Sequence, residues 1–305
     1  MLLLRKILFA SFLFPMLFMG SNERSQNTPL QDTLRVIAKE AGGMVGVSVL
    51  YPERGESLSL HGADHFPMQS VYKFPLAMKI LHDVDNGKLS LDSKIHIDKK
   101  EWVEGTWSPM RDHYNSGTVD INLREILSYT VSGSDNIGCD ILFRVAGGPG
   151  EVNDYIHQLG IKEIAIATTE ADMATHWEVQ FRNWCTPNAM ATLLRLFLDG
   201  RVLAPASNEL LMQFLTATTT GPHRIKGLLP TGTIVAHKTG TSDTNEKGIT
   251  AATNDVGIIT LPDGRHLILV VYIRDSRADE KSREGVIARI AATVWAYQQS
   301  DIPPK

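Results

Sequence analysis

The 305-residue chain predicts a two-lobed α+β/α fold: an antiparallel five-stranded sheet flanked by N- and C-terminal helices, beside an all-helical lobe. Three observations carry that prediction. Strand-like segments, alternating or densely apolar and bounded by turn residues, occur twice soon after Gly43 and three times after Thr233. Between these regions, from Ser70 to about Phe214, most periodic segments repeat at three and four residues, the period of a helix face. A helix-period segment also stands before the first strand and after the last. Strands from both ends of a chain most simply share one sheet. The tract between them then folds as a second lobe, with a cleft where the two meet.

Each element follows from its own stretch. "LQDTLRVIAKEAG" places Leu34, Ile37 and Ala38 on one helix face and ends on Gly42. "MVGVSVLYP" alternates and is rich in valine; a Pro-Glu-Arg-Gly turn returns the chain into "GESLSLHG", completing a hairpin. The central tract predicts helices over 71–86, 123–128, 136–145, 150–159, 187–198 and 207–215. Strands resume with "TIVAHKTGT" and "NDVGIITLP", then a Pro-Asp-Gly turn and "HLILVVYIR". The apolar density of the last two predicts cover on both faces. A closing helix over 279–299 aligns Val286, Ile290, Val294 and Trp295. The lobes so defined are 30–66 with 216–305, and 67–215, together one domain.

Composition narrows the function. With 43% hydrophobic and 21% charged residues the chain can build a sizeable core. A net charge of −4 and scattered basic residues, with no basic face or aromatic-basic ladder, argue against a nucleic-acid partner. Arg5 and Lys6 precede an apolar run over 7–19. That run is shorter than the roughly 20 residues needed to span a bilayer and fits a secretory signal. We therefore expect a signal peptide at 1–21, a polar tether at 22–29, and a periplasmic, monomeric protein with no stable membrane association. Cys139 and Cys185, the only cysteines, are expected as buried free thiols. His61 and His65 flank "GAD" in a turn-like stretch and read as solvated; no spacing suggests zinc, and no cofactor or metal is expected.

Three short motifs carry chemistry. In "PMQSVYKFPLAMKILHDV", Ser70 stands at the mouth of a helix, with Lys73 three residues on and therefore beside it. A serine needs a base to become nucleophilic, and a partly desolvated lysine can serve. Ser-x-x-Lys alone is weak, since a chain this size holds about one by accident. In "SGSDNIGCD", Ser134 and Asn136 bracket an aspartate where a helix begins, a pattern that N-capping also explains. In "VAHKTGTS", Lys238 and Thr239 precede a glycine within a strand, which marks close approach by a backbone or a ligand.

Occurring together and in this order, S-x-x-K, S-D-N and K-T-G resemble the signature of class A serine β-lactamases and penicillin-binding proteins. "SVYKFPLAM", "GTWSPMRD", "YTVSGSDNIGCDIL", "QFRNWCTP", "TGPHRIKGLLP" and "IVAHKTGTSDTNEKG" are similar to the PER and VEB branch of class A, a resemblance covering about residues 30 to 298. It implies hydrolysis of a small-molecule β-lactam through a serine acyl-enzyme, with a cephalosporinase or extended-spectrum leaning. It implies that Ser70 is the nucleophile, Lys73 its proton-handling partner, and Ser134 the donor to the leaving nitrogen. Asn136 would hold the substrate amide, the N–H groups of Ser70 and Thr241 would form the oxyanion hole, and Lys238, Thr239 and Arg224 would face the substrate carboxylate. Ser242, following Thr241, goes with cephalosporin turnover, and Trp107 with the cleft rim. Aligned on Asn183 and Trp184, Glu170 takes the place of the deacylating base; whether it or Lys73 accepts the proton in acylation stays open.

The chain departs from the wider family in two ways. The loop before Glu170 lacks an Arg-x-Glu-Pro start, and Ala174 stands where relatives carry a side chain that helps hold the hydrolytic water. His176 or a rearranged backbone would have to substitute. A penicillin-binding D,D-peptidase would share Ser70, Lys73 and Lys238 without needing Glu170. A penicillin sensor would need transmembrane helices and would be acylated without turnover.

Overall fold

The computed structural model describes residues 29–114 and 117–300. The predicted signal peptide and tether lie outside them, except for Pro29. Helix α1 (Pro29–Ala38) buries Leu34 and Ala38 and passes through a 3-10 turn to Gly42, whose φ of 59° ends the helix. Strands β1 (Met44–Tyr51) and β2 (Glu56–Leu60) form the first hairpin. After β3 (Phe66–Pro67), a 3-10 turn at Gln69–Tyr72 runs directly into α2 (Lys73–Asp85). The chain continues through β4 (Lys94–Ile97), α3 (Pro109–Tyr114), β5 (Val119–Asn122), α4 (Leu123–Ser132), α5 (Asn136–Ala146) and α6 (Pro149–Gln158). It then passes β6 (Ile164–Ala165), α7 (Glu170–Met173), β7 (Trp184–Cys185), α8 (Pro187–Leu198) and α9 (Pro205–Thr216). Strands β8 (Ile234–Thr241), β9 (Thr250–Thr260) and β10 (His266–Ser276) lead to the closing helix α10 (Glu280–Ser300).

The five long strands form one antiparallel sheet in the order β2-β1-β10-β9-β8, with Val47 opposite Val271 and Val270 opposite Val256. Successive side chains of a strand point to opposite faces, and both faces here are covered. Leu267, Leu269, Val271 and Ile273 of β10 pack with Leu34, Val286, Ile290 and Val294 of the terminal helices. Ile268, Val270 and Tyr272 pack with Phe66, Met68 and the helical lobe. That double cover explains why β9 and β10 read as nearly continuous apolar runs.

At the centre of the second lobe is α2, packed against α4, α5, α6 and α9. It is buried nearly all round, Leu76 and Ile80 as well as Phe74, Met78 and Leu81, with Lys79 and Asp83 paired on one another, because it has helices on several sides. The structure adds two small ladders to this lobe, β3-β7-β6 and β4-β5. β3, β6 and β7 are two residues each and too short to show any period, and β4 and β5 alternate over only four residues. Among the described residues no helix is long and apolar enough to cross a membrane.

Candidate active site

Three chain segments meet where the lobes join: the turn before α2, the α4–α5 connection, and β8. Ser70 lies in the 3-10 turn, and Lys73 opens α2, so the pair are one turn apart. Pro75 falls in the first turn of α2, where a missing N–H leaves no hydrogen bond unmade. The preceding Gln69 adopts φ of 49°, a left-handed conformation that a non-glycine residue holds only when its surroundings enforce it. Its amide donates to Gln180 Oε1 at 2.6 Å, and Asn254 donates to the carbonyls of Pro67 and Met68 just before it.

In the "SDN" stretch the capping role falls to Asp135 alone. Fully buried, it accepts from Gly138 N at 2.8 Å, from Met110 N at 2.7 Å and from Ser108 Oγ. Its neighbours are thereby left to face the cleft. Ser134 is held at φ of 55°, and Asn136 is braced by Thr106 Oγ1 at 2.9 Å.

Lys73 Nζ, fully enclosed, reaches Asn136 Oδ1 at 2.5 Å, the Ser134 carbonyl at 2.9 Å and Glu170 Oε1 at 2.9 Å. A second buried amine, Lys238 Nζ, donates to Ser134 Oγ at 2.9 Å and to Thr239 O at 3.0 Å. Burial first, and then the charge of Lys73, hold the Lys238 pKa well below the usual lysine range. Gly240 allows β8 to lie against the nucleophile turn: a side-chain carbon there would collide with the Met68 carbonyl and sit 3.1 Å from Gln69 Cβ.

Glu170 arrives on a loop that other side chains shape. Asn183, with no exposure, accepts from Ala167 N at 2.7 Å and Thr168 N at 3.0 Å and donates to Thr168 O at 2.8 Å. Thr169 and Asp172 form a capping box around α7. From beneath, Asp140 of α5 accepts from Glu170 N at 2.8 Å and Ala171 N at 2.9 Å. Burial, together with the nearby Glu170 charge, pushes the Asp140 carboxyl up to about 6 despite those donors. The outcome is a Glu170 side chain only 12% exposed, its Oε1 3.5 Å from Ser70 Oγ.

The cleft occupies about 1060 Å³ and is lined by Ser70, Ser134, Asn136, Glu170, Thr239, Thr241 and Ser242, with Ala174 and His176 on the Glu170 side. Trp107 forms its rim, 61% exposed and anchored by donation from its indole nitrogen to Gly133 O at 2.9 Å. Arg224 lies behind β8 rather than in the open cleft. Its guanidinium is 3.0 Å from Glu284 and donates to the Gly240 and Asn254 carbonyls and, at 2.8 Å, to Thr241 Oγ1. Paired with Glu284, it touches the cleft lining only through the hydroxyl of Thr241. Ser242 Oγ accepts from Ala252 N at 2.8 Å, which shapes the turn after β8.

Cys139 and Cys185 are both buried and free, as expected. His61 pairs with Asp64 and His65 stacks on Trp184, and neither lines the cleft. Asp140, Thr106 and the Gln69–Gln180 pair were not expected from the sequence. Only Asp140 had a legible signal, being four residues beyond Asn136 and so on the same helix face.

Such a constellation suits acyl transfer to Ser70 followed by attack of water: a hydroxyl beside an amine–carboxylate pair, and a second hydroxyl against a second amine. A family model described as "Beta-lactamase enzyme family" matches residues 29–298. The chain is 40% identical to the extended-spectrum beta-lactamase PER-1 of Pseudomonas aeruginosa over 97% of its length and 96% of the relative's. It is 39% identical to the beta-lactamase VEB-1 of the same organism, over 91% of this chain and 92% of that one. The crystal structure of a beta-lactamase from Chitinophaga pinensis superposes with a TM-score of 0.87 at 50% identity, covering 89% of this chain and all of the other.

Proposed function

The chain belongs to the class A serine β-lactamase family and has its hydrolase activity, which confers β-lactam resistance; from that premise we propose how its residues divide the reaction. Ser70 Oγ attacks the lactam carbonyl while the Lys73–Glu170 pair takes its proton. The N–H groups of Ser70 and Thr241 hold the developing oxyanion, where one donor is typically worth a hundredfold or more in rate. Ser134, held by Lys238, passes a proton to the departing nitrogen. Asn136 holds the substrate amide. Thr239, Lys238 and Thr241, the last oriented by a hydrogen bond from Arg224, receive the substrate carboxylate, with Ser242 beside them and Trp107 at the rim. Water activated by Glu170 then releases the product.

One observation carries this reading over an acylated but non-hydrolysing protein: the Glu170 carboxylate sits 2.9 Å from Lys73 Nζ and 3.5 Å from Ser70 Oγ. A bridging water between base and acylated serine fits that spacing. The breadth of the cleft, the Thr241–Ser242 pair and the extended-spectrum relative support a cephalosporin leaning. The lobes 30–66 with 216–305 and 67–215 act as one catalytic domain, in a monomer exported to the periplasm by its N-terminal signal.

Purified mature protein is expected to hydrolyse a chromogenic cephalosporin equally with and without a chelator. Ser70→Ala abolishes turnover, and Glu170→Ala accumulates acyl-enzyme visible by intact mass. A Glu170→Ala protein that turns over as fast as the parent refutes the deacylation assignment.

A further inference from the structure

The connection between α9 and β8 contains three successive threonines followed by a glycine, residues 218–221, and each threonine hydroxyl has a partner of its own. Thr218 Oγ1 donates to His237 O of β8 at 2.7 Å. Thr219 donates to Ser132 O, at the end of α4, from its backbone N–H at 3.1 Å and from its hydroxyl at 3.3 Å. Thr220 Oγ1 lies 2.5 Å from Thr239 Oγ1, and both residues line the cleft. Gly221 lets the segment press this close. At its φ of 60°, a side-chain carbon would come within 2.7 Å of Thr239 Cγ2 and 2.9 Å of Arg224 Cδ. Sewn to β8 on one side and to α4 on the other, Thr220 has a fixed place against Thr239.

Two hydroxyls joined by one hydrogen bond hold two protons, so one proton is left over. When Thr239 donates to Thr220, the spare proton sits on Thr220 and Thr239 offers the cleft only lone pairs. When Thr220 donates, the spare proton sits on Thr239. A carboxylate only accepts, and a hydrogen bond to it is roughly twice as strong as one between neutral groups, so a bound carboxylate selects the second arrangement. We propose that Thr220 is a positioning residue for recognition of the substrate carboxylate: its hydroxyl donates to Thr239 Oγ1 and so commits the Thr239 proton to the carboxylate. This rests on the reading of Thr239 as a carboxylate-binding group. A hydroxyl that accepts a hydrogen bond is polarised into a better donor, so the chain from Thr220 through Thr239 strengthens the contact as well as aiming it.

Thr220→Val keeps the branched shape and removes the hydroxyl. On a cephalosporin bearing its free carboxylate, kcat/KM is expected to fall about fivefold to tenfold, the scale of one hydrogen bond. Decay of the acyl-enzyme, followed by intact mass, stays within about twofold of the parent, because Glu170 and its loop are untouched. On the methyl ester of the same cephalosporin, which carries no charge to fix the direction of the pair, parent and variant differ by less than about twofold. Thr220→Ser restores a hydroxyl and recovers most of the loss. In a Thr239→Val background, Thr220→Val costs nothing further, since Thr220 acts through Thr239. An unchanged kcat/KM for Thr220→Val on the free carboxylate overturns the inference. So does an equal loss on acid and ester, which signals a general disturbance of the site. A full loss from Thr220→Val in the Thr239→Val background also overturns it, because Thr220 then acts on its own. If Thr239→Val alone leaves kcat/KM on the acid unchanged, the carboxylate reading of Thr239 fails, and this inference with it.

Discussion

Replacing Asn183 with alanine tests how the loop bearing Glu170 is held. The side chain makes three bonds to the loop backbone, at 2.7, 3.0 and 2.8 Å. Ala167 is exposed, so its freed N–H can turn to water. Thr168 is 1% exposed, and both its N–H and its carbonyl are left buried without a partner. Each such group costs about 1–3 kcal/mol. With some relaxation of the loop, the expected loss is about 3 kcal/mol, or a fall in Tm of roughly 6–9 °C for a domain of this size. The consequence for function is selective. Ser70, Lys73, Ser134 and Lys238 are positioned by α2, α5 and β8, which do not depend on Asn183, whereas Glu170 follows the loop. Acylation should therefore survive better than deacylation, and acyl-enzyme should build up during turnover. Differential scanning calorimetry and time-resolved intact mass read the two effects. A Tm within about 2 °C of the parent, with unchanged acyl-enzyme decay, would refute the view that Asn183 shapes this loop.

Other substitutions probe the remaining supports. Gly240→Ala pushes a methyl group into the Met68 carbonyl, an overpacking expected to cost about 1–3 kcal/mol and to slow acylation; a parental melting curve would count against the close approach of β8. Ser134→Ala removes the group between Lys238 and the leaving nitrogen, and should lower kcat/KM by about 10²–10⁴; burst kinetics with unaltered acylation would sink that role. Asp140 binds its proton more tightly in the folded chain, at about 6 against an ordinary 3.8. Its contribution to stability therefore rises as pH falls from about 6 towards 4 and is lost as pH rises back through that window, a swing of about 2–3 kcal/mol. Asp140→Asn should flatten that part of the stability–pH curve, and identical curves for the two proteins would contradict the assignment.

Sequence alone determined the features that depend on neighbours along the chain. The alternation of β1, the helical repeat of α2 and α8, and the Gly42 stop are local, because strand and helix periods are set by backbone geometry within a few residues. The Ser70–Lys73 pairing was legible for the same reason, being one helical turn. Tertiary structure alone decided which distant groups meet. Ser70 and Glu170 stand 100 residues apart, and Lys238 and Ser134 stand 104 apart. No spacing encodes such a meeting, so family resemblance was the sequence's only pointer to it. Structure also allotted duties that residue type leaves ambiguous. Asp135 caps the helix so that Ser134 and Asn136 need not, and Arg224 works from behind β8 through Thr241. A side chain's role follows from which partners remain for its donors and acceptors once everything around it is packed, and that is known only when the whole chain has folded.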